Sequence, residues 1–391
     1  MTYSEDLTLV IPTFERQELV LVAMSYWGDL GIELHVIDGS EEPIPSARLP
    51  KNEKIHYHHM PASLFDRLNY ATELVQTPYC SLVADDEFFL PSGLEACIAE
   101  LSKDPNLVAC GGRALAFDAT SDPIIGRPIY PEMAGRNINQ KKPTERLNAH
   151  LGDYWPSTIY AVTRADVWKK ALHASTAKSF PVFALPELRF EASIAYQGPS
   201  KVIPVLSWLR NIGQPPTRGQ DETLDVRNTF HGWWHDISKD DQRREFLCIL
   251  AEHLEPEATP ENKIRIEHDL HQAFTSYDRT IQARKEKRKK KKETIKPNQI
   301  GVKKSEKKTE FLKKVRRLLR KLGISQILWP NSDKPAQASN LRTSPKTQNV
   351  KQPQRKDIFL AAKELRAEGV FVNLNEIEKV SKLLQKKSDI A

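Results

Sequence analysis

The 391-residue chain has few cysteines, no long apolar run and no basic, apolar leader at its start, and each absence excludes something. Its four cysteines, Cys80, Cys97, Cys110 and Cys248, lack the paired spacing of a thiolate metal site. Each sits among apolar neighbours, which reads as a buried free thiol in a reducing compartment. A helix that spans a bilayer needs on the order of 18–20 apolar residues, and no such run exists. Met1-Thr-Tyr-Ser-Glu-Asp opens on acids rather than on the basic and apolar regions of a signal peptide. These features together predict a cytoplasmic protein.

Charge is present in quantity but unevenly placed. Residues 281–391 carry 31 Lys and Arg against 11 Asp and Glu, whereas the residues before them carry 27 against 40. An acidic globular body followed by a basic extension is the simplest description.

The body alternates strand and helix patterns. Apolar β-rich runs lie at Leu7–Ile11, Leu34–Ile37, Ile55–His58, Tyr79–Ala84 and Leu107–Cys110. Helical spacing covers Glu15–Tyr26, Ser63–Val75 (with Ser63 as N-cap) and Leu94–Leu101. This alternation predicts an α/β fold, a mostly parallel sheet with helices on both faces. Ligands of such sheets bind beyond the carboxyl ends of the strands. Thr13, Asp38 and Asp85-Asp86-Glu87 all follow strand ends, so they should line one crevice. The pattern by itself fits other nucleotide-binding folds equally well. Phe117–Trp155 reads as a long loop. Regular structure resumes at Ser157–Thr163, with helices at Ala165–Leu172 and Pro186–Tyr196, a strand at Val202–Leu206 and mostly helix over 243–283.

The acids at 85–87 are wedged between Cys80-Ser-Leu-Val-Ala84 and Phe88-Phe-Leu-Pro91. Carboxylates in apolar surroundings need a partner, and their oxygens suit Mg²⁺ or Mn²⁺ bridging to a diphosphate. Thr77-Pro-Tyr-Cys-Ser-Leu-Val-Ala-Asp-Asp-Glu-Phe-Phe89 resembles the DXD segment of GT-A glycosyltransferases, in particular a family 2-like bacterial group. Leu9-Val-Ile-Pro-Thr-Phe-Glu-Arg16 is similar to that family's first strand and nucleotide-binding turn. The Asp38 turn and Arg67-Leu-Asn69 match in order and spacing, and the likeness covers roughly residues 6–210. It implies a Rossmann-like GT-A fold and a nucleotide-sugar donor, a UDP-sugar first among them. Thr13 and Glu15 would then line the nucleotide pocket with Arg67, and Asp38 would hold base or ribose. Asp85 and Asp86 would meet ribose or metal, and Glu87 would be the most direct ligand of Mn²⁺ or Mg²⁺. Glu87 stands where the family has Asp, which leaves the metal preference open.

An inverting transfer needs a carboxylate facing the acceptor hydroxyl. In the family that acid opens a helix before a glycine and a late strand. Glu187 fits this frame, just after Pro186 and eleven residues before Gly198, and Glu191 lies one turn on. A helix N-terminus favours an acid in any case. His231-Gly-Trp-Trp-His235 offers His231 as a further metal ligand by the resemblance, or else a Trp-rich seam packing the C-terminal helices. Tyr154-Trp155 is an acceptor-binding candidate. His56, His58 and His59 have no matching acids nearby in sequence and read as structural.

The extension begins with the charge run 284–292. Within 309–329, Phe311, Leu312, Val315, Leu318, Leu319 and Leu322 form an apolar stripe against a basic face, which suits an anionic membrane surface. The same stripe could pack on the body or a partner. Nucleic acid is the least supported partner, since no recognised nucleic-acid fold accompanies the charges. The expected organisation is a catalytic domain over 1–240, a helical part over 241–283, a basic segment over 284–330, a linker over 331–356 and a terminal helical segment over 357–391. The activity expected is transfer of a sugar to a glycan, lipid-linked or protein acceptor, as in polysaccharide biosynthesis, at the inner face of the membrane. A non-catalytic scaffold of the same fold is the alternative, as is a sugar nucleotidyltransferase, although the Gly-rich, Lys-containing loop of the latter is missing.

Overall fold

The structure, a computed structural model, describes residues 5–214, 229–294 and 356–388. The stripe at 309–329 and nearly all of the 331–356 linker lie outside the described residues. One compact unit comprises Met1–Arg284 together with Pro353–Ala391, and the second comprises Lys285–Gln352. Among the described residues no helix is long and apolar enough to cross a membrane.

The first unit opens with β1 (Leu7–Thr13), α1 (Gln17–Gly28), β2 (Glu33–Asp38), β3 (Ile55–His59), α2 (Leu64–Leu74) and β4 (Tyr79–Leu82). β1 pairs in parallel with β2 and β4, and β2 with β3, so the parallel core runs β4-β1-β2-β3. Burial on both faces explains why β1 is apolar at almost every position, with Thr8 buried among its neighbours. Leu7, Leu9 and Ile11 join one apolar cluster, and Val10 joins another on the opposite side. Ser63 caps α2 as expected, its hydroxyl accepting from Asp66 N at 3.2 Å.

The chain continues through β5 (Phe88–Phe89), α3 (Pro91–Lys103), β6 (Ala109–Asp118), β7 (Ile125–Ile129), β8 (Asn137–Ile138), α4 (Pro143–Gly152), β9 (Val162–Arg164), α5 (Ala165–Thr176), α6 (Leu185–Gln197) and β10 (Ser200–Asn211). β9 pairs antiparallel with both β4 and β6 and so joins the parallel core to the rest of the sheet. β10 runs parallel to β6. The fold is therefore α/β as expected, with helices on both faces. The 117–155 region is more regular than its Pro, Gly and charge content suggests. β7 and β8 gain their order by pairing with β6 and β10, which local composition does not reveal.

A third apolar cluster joins α4 and α6 to α7 (Phe230–His235), α8 (Asp240–Leu254) and α9 (Pro260–Thr294). Trp233 and Trp234 are buried there against Phe230, Phe246 and Phe274. The packing reading of the tryptophans is the one the structure bears out.

The terminal segment is part of the same unit. β11 (Lys356–Asp357) adds an edge strand to β7, with Asp357 opposite Ile125. α10 (Ile358–Ala367) and α11 (Leu374–Ser388) follow. Ile358, Ala361, Ala362, Leu365, Val370, Val372, Ile377 and Val380 are buried in the cluster that contains β1 and α1. Between the two helices Phe371 exchanges backbone hydrogen bonds of 2.8 Å with Pro204 and Leu206, where β10 departs from regular pairing with β6.

Candidate active site

β1, β2 and β4 all run the same way, so their polar termini emerge at one edge. Thr13 Oγ1 donates to Asp85 Oδ2 at 2.8 Å, and Gly39 N donates to Thr13 O at 3.0 Å. Arg67, 4% exposed on α2, donates through Nη1 to Thr13 O and through Nε to Ala62 O. Its guanidinium lies against Gly39, where an added Cβ would stand 2.5 Å from Arg67 Cζ. Glycine at 39 is thus a requirement of close approach. Asp38 is fully buried. It accepts from Ser40 N and Oγ at 2.9 and 2.5 Å, from Tyr57 at 2.7 Å and from Gln17 at 3.3 Å. Both its oxygens are used in shaping the turn, so a base or ribose contact would come through that turn rather than through a free carboxylate. Glu15 has φ 53°, with its amide donating to Ser40 Oγ at 2.8 Å and its Oε1 accepting from Glu41 N at 3.1 Å. Left-handed non-glycine residues carry about 1–3 kcal/mol of strain and concentrate at functional sites. Tyr130, the other such residue among those described, lines the same region, as shown below.

The three acids diverge in their partners. Arg16 bridges the first two, with Nη1 2.7 Å from Asp85 Oδ1 and Nη2 2.5 Å from Asp86 Oδ2. Glu87, 6% exposed, accepts from the Trp208 indole at 2.6 Å and lies 3.6 Å from Arg210 Nε. Burial pushes Asp85 up to about 6 despite the pull of Arg16 and Thr13. The same cause pushes Glu87 up to about 8, against the pull of Arg210 and Trp208. A carboxyl raised in this way keeps its proton in the folded chain where the unfolded chain has released it. Its contribution to stability is full below pH of about 4.5 and is lost as pH rises through about 8. Glu87→Gln should therefore raise stability at pH 9 by about 2–4 kcal/mol and hardly alter it at pH 5. Urea unfolding at the two pH values checks this, and equal gains at both would refute it.

Glu87 faces an aromatic wall. Trp208 stacks on Tyr130 at 6.0 Å and meets Tyr160 at 4.8 Å, and Tyr130 meets Trp155 at 6.2 Å. Glu187, in the first turn of α6, accepts from the Tyr154 hydroxyl, and burial raises its pKa above the usual carboxylate range. Burial raises the Tyr130 and Tyr160 phenols, the charges of Glu87 and Glu187 add to the rise, and Arg210 opposes it. Both carboxyls are thus close enough to Tyr130 and Tyr160 for their charges to act on the same two phenols.

Two expected site residues lie elsewhere. Glu191 is fully buried, and its oxygens accept from His150 Nε2 at 2.6 Å, Thr158 N at 3.2 Å, Ile159 N at 2.9 Å and Thr158 Oγ1. It braces the 157–159 segment and has no oxygen left for an acceptor, which corrects its expected catalytic role. His231 pairs with Asp278 of α9, at 2.9 Å, and not with Asp85 or Glu87. His56 does have an acid beside it, Glu33 of β2 at 2.5 Å. Arg16, Tyr130, Tyr160, Trp208 and Arg210 escaped the sequence reading. The alternation of Trp208 and Arg210 beyond Leu206 was the available signal that β10 runs on.

The resemblance implies a divalent cation at these acids. Asp85 Oδ1 is buried and takes its charge compensation from Arg16 Nη1 at 2.7 Å. Asp85, Asp86 and Glu87 feel one another's charge, and all their donors are carboxylate oxygens. The donor type suits a hard cation, but the three acids do not bring their oxygens within 4.8 Å of one another: Arg16 holds Asp85 and Asp86, and Trp208 and Arg210 hold Glu87, so all three would reach one ion only after a shift of these partners.

No family model matches the chain, and no curated protein matches it in sequence. Among solved structures it is similar to S. aureus TarS, at 12% identity and TM-score 0.42, over 70% of this chain and 44% of that one. The chain thus spans less than half of that TarS chain. S. aureus TarS 1–349 in complex with UDP-GlcNAc is similar at 11% identity and TM-score 0.44, over 70% of this chain and 74% of that one. The same fragment with UDP gives 9% and 0.40, over 72% and 91%.

Proposed function

We propose that the chain is a GT-A-type glycosyltransferase that moves a sugar from a UDP-sugar to a hydroxyl of a glycan, lipid-linked or protein acceptor, with inversion. The observation that carries this reading is the buried Glu87, bound by the Trp208 indole where Trp208 packs on Tyr130 and Tyr160, together with Glu187 held by Tyr154. Aromatic faces suit the apolar faces of a sugar ring, and buried acids with raised pKa suit proton transfer near neutral pH. The turn at Thr13, Asp38 and Gly39 would take the nucleoside, with Glu15 and Arg67 fixing its backbone. Asp85 and Glu87 would hold Mn²⁺ or Mg²⁺, with Asp86 beside them. Such an ion supplies charge compensation to a diphosphate.

In the transfer, the acceptor oxygen bonds to the anomeric carbon as the carbon–phosphate oxygen bond breaks. Glu187 takes the acceptor's proton, and the electron pair leaves with the diphosphate. Arg16, beside Asp85 and Asp86, and Arg210, beside Glu87, would face the negative charge that grows on the diphosphate, and such preorganised cations favour that state. Expected results are UDP-sugar hydrolysis by the full chain with Mn²⁺, and loss of UDP binding by at least tenfold in Asp85→Asn. If a panel of UDP-, GDP- and dTDP-sugars gives no turnover and no nucleotide raises the melting temperature, the scaffold alternative holds instead.

The basic stretch 309–329 is proposed to bring the enzyme to an anionic membrane surface. Its composition supports this. Co-sedimentation with anionic vesicles should need these residues, and equal binding by a chain lacking them would refute the role.

A further inference from the structure

On α7, His231 and His235 are one helical turn apart, and their rings lie 4.8 Å apart. The opposite face of this short helix buries Phe230, Trp233 and Trp234 in the helical cluster, which fixes both imidazoles on the outer side. Across from them stands Asp278 of α9, a carboxylate only 4% exposed. His231 Nδ1 lies 3.0 and 2.9 Å from its two oxygens, and His235 Nε2 lies 2.9 Å from Oδ2. The ligand atoms of the three residues all fall within 4.8 Å of one another. Gln282 Nε2 stands 3.4 Å from Asp278 Oδ1 as an outer partner.

From this geometry we infer a second cation site, distinct from the strand-end acids, that takes a borderline divalent transition ion, Zn²⁺ above all. The donors are two imidazole nitrogens and one carboxylate oxygen, a set that suits Zn²⁺ rather than Mg²⁺. Histidines spaced H-x₃-H on one helix face are a common way to present two zinc ligands. Around an ion at about 2.0–2.1 Å, tetrahedral ligand atoms sit about 3.3 Å from one another. The His–Asp separations of 2.9–3.0 Å need only a few tenths of an ångström of opening, and the two imidazole nitrogens lie within 4.8 Å of each other. The imidazoles are half exposed, at 49% and 54%, so a fourth position faces solvent. The buried carboxylate between them supplies the negative charge that a cation needs and that water reaches poorly.

Such an ion would tie α7 to α9 next to Tyr277. The Tyr277 ring is 5.1 Å from Tyr154, which holds Glu187. The site is therefore placed to stiffen the wall behind the proposed base, yet its existence does not depend on transferase activity.

The test uses the full chain, stripped with a chelator and titrated with Zn²⁺ against a chromophoric competitor, then with Co²⁺ to read coordination from visible absorption. The proposal expects one Zn²⁺ lost in H231A/H235A, with affinity at least 100-fold weaker, and a four-coordinate Co²⁺ spectrum absent from that variant. Asp278→Asn should weaken binding at least tenfold. H231A/H235A takes both imidazole partners from the buried Asp278 carboxylate and should lower the metal-free melting temperature, so the reading that decides is the shift on adding Zn²⁺, which should raise the melting temperature only in the parent chain. Equal Zn²⁺ affinity in parent and double variant, or no uptake by the parent, would overturn the site. UDP titration with Mn²⁺ is read on the same samples, so a failure here is separate from a failure of the transferase reading.

Discussion

A chain ended at residue 352 should not fold. Eight side chains of the terminal segment, from Ile358 to Val380, are buried in the cluster that also holds Leu7, Leu9, Ala23 and Trp27. Six of the eight are Val, Ile or Leu, and each such burial contributes about 1.5–3 kcal/mol. The loss is on the order of 10 kcal/mol, comparable with the whole stability of a typical domain. Deletion also strips β11 from β7 and removes Glu376, which accepts from Ser92 Oγ at 2.7 Å. The expected result is an insoluble product, or a soluble one without a cooperative melt. A cooperative transition within 5 °C of the full chain would mean that the segment merely rests on the body. Leu365→Ala, a milder probe at a fully buried position, should cost about 2–5 kcal/mol by urea unfolding.

Glu187→Gln should lower kcat by about 10²–10⁴ while leaving the donor KM within a few-fold, as expected for a group that acts on the acceptor proton. The amide keeps the size of the side chain and its hydrogen bond from Tyr154, so a fold defect is a poor explanation for such a loss. Tyr154→Phe makes a sharper test. The Tyr154 hydroxyl favours the ionised form of Glu187, while burial opposes it. Removing that hydroxyl should raise the Glu187 pKa further and move the acid limb of the kcat/KM profile to higher pH. A Glu187→Gln variant within tenfold of the parent would assign the proton to another group. An unmoved acid limb in Tyr154→Phe would separate that limb from Glu187. Glu191→Gln, by contrast, should act through stability, because it would leave His150 and the 158–159 amides with a weaker acceptor.

The parallel core was readable because its signals are local. β1, β2 and β4 are short apolar runs closed by Pro12-Thr13, Asp38-Gly39 and Asp85-Asp86, and Ser63 announces α2. β7, β8 and the far half of β10 were not readable, because their order comes from pairing partners distant in the chain. The site divides in the same way. Thr13, Arg67 and the acids stand next to strong strand and helix signals. Tyr130 lies in a stretch whose composition reads as loop, and Trp208 and Arg210 gain meaning only when β10 brings them to Glu87. Glu191 shows the converse. Helical spacing puts it on the same face as Glu187, but burial to 0% and its four donors come from α4 and the 158–159 segment, which spacing cannot report.

The return of the terminal helices to the first unit has a consequence for synthesis. A ribosome delivers β1, α1 and β7 early, but the surface they present is closed only by residues made much later; Ser92 and Glu376 are 284 residues apart. Until then the edge of β7 that β11 will cover is open, and an open edge invites pairing with another chain. In the meantime the strongly basic stretch after Arg284 has already emerged, and its like charges keep nascent chains apart. A ribosome stalled within 295–355 should accordingly hold a protease-sensitive N-terminal body, and protection should appear only once α11 has cleared the exit tunnel.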